Sequence, residues 1–523
     1  MTNFFLNFSL FILIYIFGFL SVSGFGKLFI KKNNINYNHN NFFDLQIFGT
    51  IILLVISYLI YLTIGTNHII NIFILFLGLL IYFFYKKELN KVKVVYLLAL
   101  LLLILPVLLI SKTHEDFNNY HLFSIYEVFN NNLRIGVSNL NDKFFHSSLL
   151  IHNQSLFVFP YLNFRMVHLP VIYIYASSLG YFLYLIFLNR NSNEVLYSIF
   201  CLLILMIKFN RLSEFGYDYI SQFLLLIAFH KIYFLISNDD EIIISIIIFL
   251  FSALIKPVAL LFLPLFFYIL FNKKYNFYIY LLKSRILIIL TLLTILISSS
   301  FFKTGCIFYP ANFTCFNKEQ LFWSEKDIVK NYSEMVSLWA KAYYKQDESK
   351  YTKIEDKNLY NKNFNWFKYW IEKHFFYKIF EFIIITFLSF IIIYIYFTNH
   401  KSEIDKKHNQ KYIFLILCAL SVFFWLITVP QFRFGFASLM LFLFIFLRII
   451  FKKKILFNKK KFFILFFLSL LVLNIKNVNR ISSEIQRNDF YKYNNFPYFN
   501  EIEIINSYKN LDRISILHIE ILK

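Results

Sequence analysis

Residues 93–124 read KVVYLLALLLLILPVLLISKTHEDFNNYHLFS. The first half is a continuous apolar run, and the second half opens abruptly with His114, Glu115 and Asp116. Such a run is long enough to cross the hydrocarbon core of a bilayer, which needs about 20 predominantly apolar residues as a helix. The polar burst that ends it then belongs at the membrane surface. Similar runs recur along the chain, and they decide the fold class.

The whole composition agrees. Of 523 residues, 59% are hydrophobic and only 16% charged, against about 25% charged in a soluble domain; mean hydropathy is +0.60. The runs are continuous and show no period-two alternation, which excludes a membrane β-barrel. The chain therefore reads as all-α, a polytopic integral membrane protein of about fourteen transmembrane helices. They are expected near 4–23, 43–63, 68–85, 94–111, 168–189, 194–210, 217–237, 241–255, 257–272, 285–302, 376–397, 411–429, 434–451 and 461–477. The first span lacks a basic leader and is expected to be retained. Lys256-Pro257 breaks the long apolar stretch 241–272 into two short helices. Residues 147–163 are too polar for a span and suit a re-entrant or interfacial helix.

Six units follow: N-terminal spans (1–111), a first extracytoplasmic segment (112–167), central spans (168–302), an extracytoplasmic cap (303–375), C-terminal spans (376–477) and a tail (478–523). Their sidedness comes from lysine placement. Lys27, Lys31 and Lys32 follow the first span, Lys86 and Lys87 the third, Lys452, Lys453 and Lys454 the thirteenth; the loops after spans two and twelve carry zero and one basic residue. Positive loops mark the cytoplasmic side. The net charge of +22 is thus a matter of topology and not a nucleic-acid signal. No P-loop, dinucleotide fingerprint or zinc-like cysteine spacing occurs, and 11 glycines leave little material for phosphate-cradling loops.

On this topology the polar burst at 111–124 faces outward and cannot meet soluble nucleotide donors. Asp116, with Glu115 beside it, is a candidate general base at a membrane–water boundary. The competing reading is a helix N-cap formed by Thr113 or Asp116. Residues 118–130 fit a surface helix, with Tyr120, Phe123, Ile125 and Val128 toward lipid and Asn119, Ser124 and Glu127 toward water. His114, His121, His146 and His152 cluster within residues 114–152 without a diagnostic metal spacing. A second outward island, residues 208–218, carries Arg211, Glu214 and Asp218. Lys256 at the helix break is expected either to snorkel or to bind phosphate. Arg433, a lone charge in TVPQFRFGF, suits bidentate phosphate binding. In the cap, Cys306 and Cys315 are placed to form a disulfide in an oxidising compartment, whereas Cys201 and Cys418 lie in apolar spans and only pack. Trp323, Trp339, Trp366 and Trp370 argue that the cap is folded against the membrane surface.

Seven blocks occur in order: Asp116-x-x-x-Tyr120-His121-Leu122, Ile135-Gly-Val-Ser-Asn-Leu140, Phe145-His-Ser-Ser148, Ser213-Glu-Phe-Gly-Tyr-Asp218, Ala253-Leu-Ile-Lys-Pro257, Gly305-Cys-Ile-Phe-Tyr-Pro310 and Pro430-Gln-Phe-Arg-Phe-Gly435. In these the chain resembles an uncharacterised family of bacterial polytopic membrane proteins that is similar to the GT-C superfamily of glycosyltransferases. The resemblance implies a multi-pass enzyme of the bacterial inner membrane. It implies transfer of a sugar from a polyprenyl-phosphate-linked donor to a cell-envelope glycan or lipid acceptor, in polysaccharide biosynthesis. Asp116 would be the base, with Glu115 and His121 as its catalytic neighbours. Tyr120, His146, Arg211, Glu214, Asp218, Lys256 and Arg433 would bind substrate. A divalent metal stays open, and beyond these substrates the partners are membrane lipids, with no nucleic acid. Two other classes compete: an O-antigen-type polymerase or ligase, whose outer loops tend to be richer in arginine, and a lipid-linked glycan transporter or flippase, which would show repeats and charges within spans.

Overall fold

The computed structural model describes residues 2–33, 42–85, 120–139, 144–145, 148–188, 192–208, 216–235, 238–272, 284–343, 356–402, 408–486, 513–516 and 519–522. It is 83% helical. The run quoted above, with the span 94–111 and the polar residues His114, Glu115 and Asp116, lies outside the described residues.

Eight of the described helices are long and apolar enough to cross a membrane. They fall on α1 (Thr2–Lys32), α2 (Phe42–Thr63), α6 (Leu169–Leu188), α11 (Ser284–Thr304), the Trp366–Phe397 rod, α16 (His408–Thr428), α17 (Phe432–Ile450) and α18 (Lys459–Gln486). Between them come α3 (His68–Phe84), α4 (Leu122–Asn130), α5 (Leu150–Ser155), α7 (Ser192–Lys208), α8 (Tyr217–Phe234), α9 (Asp239–Ile255), α10 (Leu263–Asn272), α12 (Lys326–Ala340) and α13 (Lys357–Asn361). The rod begins as α14 (Trp366–Trp370), passes through a π-helical stretch at Ile371–Ile379 and continues as α15 (Phe380–Phe397). The remaining expected spans that fall on described residues coincide with α3, α7, α8, α9 and α10, which are shorter or more polar than the eight.

Small residues set the tightest packing. A methyl group on Gly24 would strike the backbone of Gly78, and one on Gly26 the carbonyl of Leu45. The backbones of α1, α2 and α3 therefore touch, as they must where lipid supplies no hydrophobic drive between helices and close van der Waals contact replaces it.

The loops sort into two faces. On one face β1 (Arg134–Ile135) pairs in parallel with β5 (Ile519–Leu522), which in turn pairs with β4 (Arg513–Ile516). On the same face the Gly136 amide donates to Phe302 O, and Ser138 and Asn139 bond the carbonyls of Lys303 and Trp323. The first polar segment, the cap and the chain's end thus share one side. On the other face β2 (Thr398–Ser402) pairs with β3 (Lys453–Ile455). Lys27 Nζ donates to Tyr85 O (2.9 Å), and Arg285 pairs with Asp240. We call these the cap face and the lysine face.

The lysine face also holds a buried charge cluster. Lys231, 4% exposed, sits 3.3 Å from Asp44 and 2.8 Å from Glu241. Beside it His230 joins Glu194 (2.9 Å) to the Tyr181 hydroxyl (2.7 Å). Five helices, α2, α6, α7, α8 and α9, are tied at one depth by these contacts.

Two local expectations need correction. Ser124 and Glu127 on α4 do not face water: each is 2% exposed. Glu127 is buried because Arg134, 3.0 Å away, neutralises it. For 147–163 the interfacial alternative is excluded over the described residues 148–163, and the re-entrant alternative is left standing. Helix α5 is sunk in the bundle, with His152, Asn153, Gln154 and Ser155 all buried. Its polar groups are used inward: Asn153 Nδ2 donates to Thr50 O (2.9 Å), and Asn71 Nδ2 to Ser155 O (2.8 Å). Irregular backbone at this depth is tolerated only where protein surrounds it.

Candidate functional site

Three helix ends meet on the cap face. The first is the start of α8. Gly216 occupies the N-cap without a side chain to bond, so the first turn of α8 is left to Tyr217 and Asp218. The second is the break that follows α9. Pro257 supplies no N–H and pushes the preceding residue out of the helical region. Lys256 accordingly adopts φ −152° and ψ 118°, and a 3₁₀ turn at Pro257–Phe262 follows. The third is the start of α17, where Gln431 is extended and Arg433 lies in the first turn.

Asp218 is the point of convergence. Lys256 Nζ lies 3.0 Å from its Oδ1 and Arg433 Nε 3.5 Å from its Oδ2. Neither Asp218 Oδ1 nor Arg433 Nε makes a well-directed hydrogen bond, so these are contacts of charge, and the carboxylate keeps capacity to accept a hydroxyl. The side chains are 15% (Asp218), 14% (Lys256) and 35% (Arg433) exposed, open enough for a ligand and enclosed enough for the charges to matter. Two cations face one carboxylate. Among the described residues the trio carries one net positive charge.

His121 and Tyr120 border the trio at the start of α4, their rings 4.0 Å apart. The His121 ring stands edge-on to Tyr217 at 4.9 Å and acts electrostatically on Asp218. The Tyr217 hydroxyl donates to Gln154 Oε1, and Gln154 Nε2 finds no partner among the described residues. From the cap, Trp339 places its ring 5.1 Å from the Arg433 guanidinium carbon, and Phe434 does so at 5.0 Å. Near the end of α12, Lys341 is held by Asn361 (3.1 Å) and lies over the Trp366 ring. Its partial burial lowers the pKa of its ammonium.

The break before Arg433 is fastened from several sides. Trp370 Nε1 donates to Pro430 O (2.7 Å) and Trp425 Nε1 to Gln431 O (2.8 Å). A Cβ on Gly435 would collide with the Trp425 indole, so this close seat needs glycine. Cys306 and Cys315 are joined by a disulfide and, with Phe145 and Val329, form a small core at the foot of α12.

Of the residues singled out in the sequence, Asp218, Lys256 and Arg433 meet, with His121 and Tyr120 beside them. Asp116, Glu115, His146, Arg211 and Glu214 lie outside the described residues. No group of three or more metal-ligating side chains occurs among the described residues. Sequence reasoning missed Tyr217, Gln154 and the Trp339–Arg433 contact. A signal existed for Gln154, in the very polarity that disqualified 147–163 as a span. Trp339 and Arg433 are too far apart in sequence for any local pattern to pair them.

The helices and the charge cluster at their ends define a multi-span helical membrane protein with a polar site at one face. The chain belongs to a family described as a domain of unknown function, DUF8201, whose model matches residues 8–440. No curated protein matches the chain. No solved structure matches it.

Proposed function

We propose that the protein is a GT-C-like membrane glycosyltransferase. In this reading it takes a polyprenyl-phosphate-linked sugar on the extracytoplasmic side and passes the sugar to a cell-envelope glycan or lipid acceptor. The observation that carries the reading is the meeting of Lys256 and Arg433 on Asp218 at three helix ends of the cap face. Among the described residues the trio carries one positive charge in excess; in a partly enclosed site this fits a phosphate, and arginine recognises phosphate oxygens two at a time.

The division of labour follows from charge. Arg433 and Lys256 hold the donor phosphate and stabilise the negative charge that grows on it as the glycosidic bond breaks. Phosphate is a good leaving group and needs little protonation. Asp116, assigned by the sequence resemblance, takes the proton of the acceptor hydroxyl, while Asp218 keeps the two cations in place and His121 offers a hydrogen bond to the sugar. The eight long apolar helices support a bilayer location for this chemistry; the inner membrane and the outward direction of the cap face belong to the proposal.

The test uses the full chain in proteoliposomes supplied with a radiolabelled polyprenyl-phosphate sugar and envelope lipid extract. Label should move to a new product, and Asp116→Asn and Arg433→Gln should each abolish the movement while leaving expression intact. Full transfer by Asp116→Asn would remove the base assignment. Transport of the intact labelled lipid across the bilayer without covalent transfer would replace the enzyme with a flippase.

A further inference from the structure

Arginine is a costly phosphate ligand when it is mobile, because its long side chain must be frozen on binding. Arg433 is not left mobile. Its guanidinium rests against two aromatic rings, Phe434 from its own helix and Trp339 from the cap. Its Nε faces Asp218. Its terminal nitrogens make no hydrogen bond among the described residues.

We propose that Trp339 is a positioning residue for oxyanion recognition: the cap presses its indole on Arg433 and so presents the two terminal nitrogens as a ready fork for the phosphate of a lipid-linked substrate. This rests on the phosphate reading given above. The contact is built and not incidental, because the cap is fastened to the residues just before Arg433. Ser337 Oγ donates to Thr428 O (3.2 Å). His374 bonds the backbone of Trp339 and, through Nε2, the side chain of Gln431 (2.9 Å). Farther back, α12 is seated on the disulfide loop, where Val329 packs on Cys306 and Cys315 and Asn312 reaches Ser333 (3.4 Å). A line of contacts thus runs from the disulfide through α12 to Trp339 and Arg433.

The experiment is a binding titration of the full-length protein in nanodiscs with a polyprenyl monophosphate as probe. Trp339→Ala should weaken binding about tenfold, the scale of a partly desolvated cation–π contact. Trp339→Phe and Trp339→Tyr should recover most of the loss, and Arg433→Gln should abolish binding. Wild-type affinity in Trp339→Ala, with binding lost in Arg433→Gln, would overturn the positioning role and leave the phosphate reading standing. If Trp339→Ala fails to fold, Trp339→Leu carries the same test, since it keeps bulk without a ring. If the wild type does not bind the probe, the phosphate reading falls. Acrylamide quenching then decides the clamp: Trp339 emission, taken as wild type minus Trp339→Phe, should become more quenchable in Arg433→Ala. Unchanged quenching would overturn the clamp as well.

Discussion

Replacing Asp218 by Asn is the most informative single change. It keeps the shape of the side chain and removes the carboxylate that, among the described residues, faces Lys256 at 3.0 Å and Arg433 at 3.5 Å. At those separations and an effective dielectric of about 20, each pair is worth about 5 kcal/mol of Coulomb attraction before desolvation is subtracted. Removing one partner of a buried pair costs about 3–5 kcal/mol, because the other charge stays behind unpaired. Arg433 is partly open to solvent, so the low end applies, and the variant should lose about 3 kcal/mol. Thermal unfolding in nanodiscs, followed by fluorescence, reads this as a lowered midpoint. The same reasoning predicts a rescue. An anion can take the place of the carboxylate, and a ligand at 100 times its Kd stabilises by about 2.7 kcal/mol. Phosphate should therefore raise the midpoint of Asp218→Asn far more than that of wild type. Adding Arg433→Gln to Asp218→Asn should return part of the lost stability, since it removes one of the two repelling cations. Wild-type stability in Asp218→Asn, or a loss that neither phosphate nor Arg433→Gln relieves, would refute the view that this trio is an electrostatic unit.

Two further outcomes follow from other parts of the molecule. Lys231→Met strands the buried Asp44 beside the partly exposed Glu241, and should cost about 3 kcal/mol in thermal stability, with recovery when both carboxylates are also made neutral as amides. The Cys306–Cys315 bridge closes a loop with a sequence separation of 9, so replacing both cysteines by serine should cost about 2–3 kcal/mol. A reductant should lower the wild-type midpoint by the same amount and leave the serine variant unmoved.

The helical class was fully legible, because lipid demands continuous apolar runs and nothing in water imitates them. The break at Lys256-Pro257 was also legible, since proline acts on its own neighbours. The two faces could be read from lysine placement before any contact was known, and Lys27 with Tyr85 and β2 with β3 fall on one side as that pattern requires. The buried polarity was not legible. Glu127 looks like a water-facing residue until Arg134 is found beside it, and α5 reads as either re-entrant or interfacial until Asn153 is seen to donate to the Thr50 carbonyl and Asn71 to the Ser155 carbonyl. Polar residues in a chain are ambiguous because their partners decide whether burial is tolerable. The site was half legible for the same reason. Asp218, Lys256 and Arg433 each stood out as charges at helix ends, but only the packing of α8, α9 and α17 brings them to one place. Trp339 could be seen as part of a folded cap and not as a neighbour of Arg433.

The central claim is that the cap face receives a lipid-borne phosphate at Arg433 and Lys256. The most direct measurement is the binding of a polyprenyl monophosphate to purified protein in nanodiscs, compared with a neutral polyprenol of the same length. The account predicts saturable binding of the phosphate, none of the alcohol, and loss of binding in both Arg433→Gln and Lys256→Met. Equal binding of phosphate and alcohol, or full binding by both variants, would contradict it.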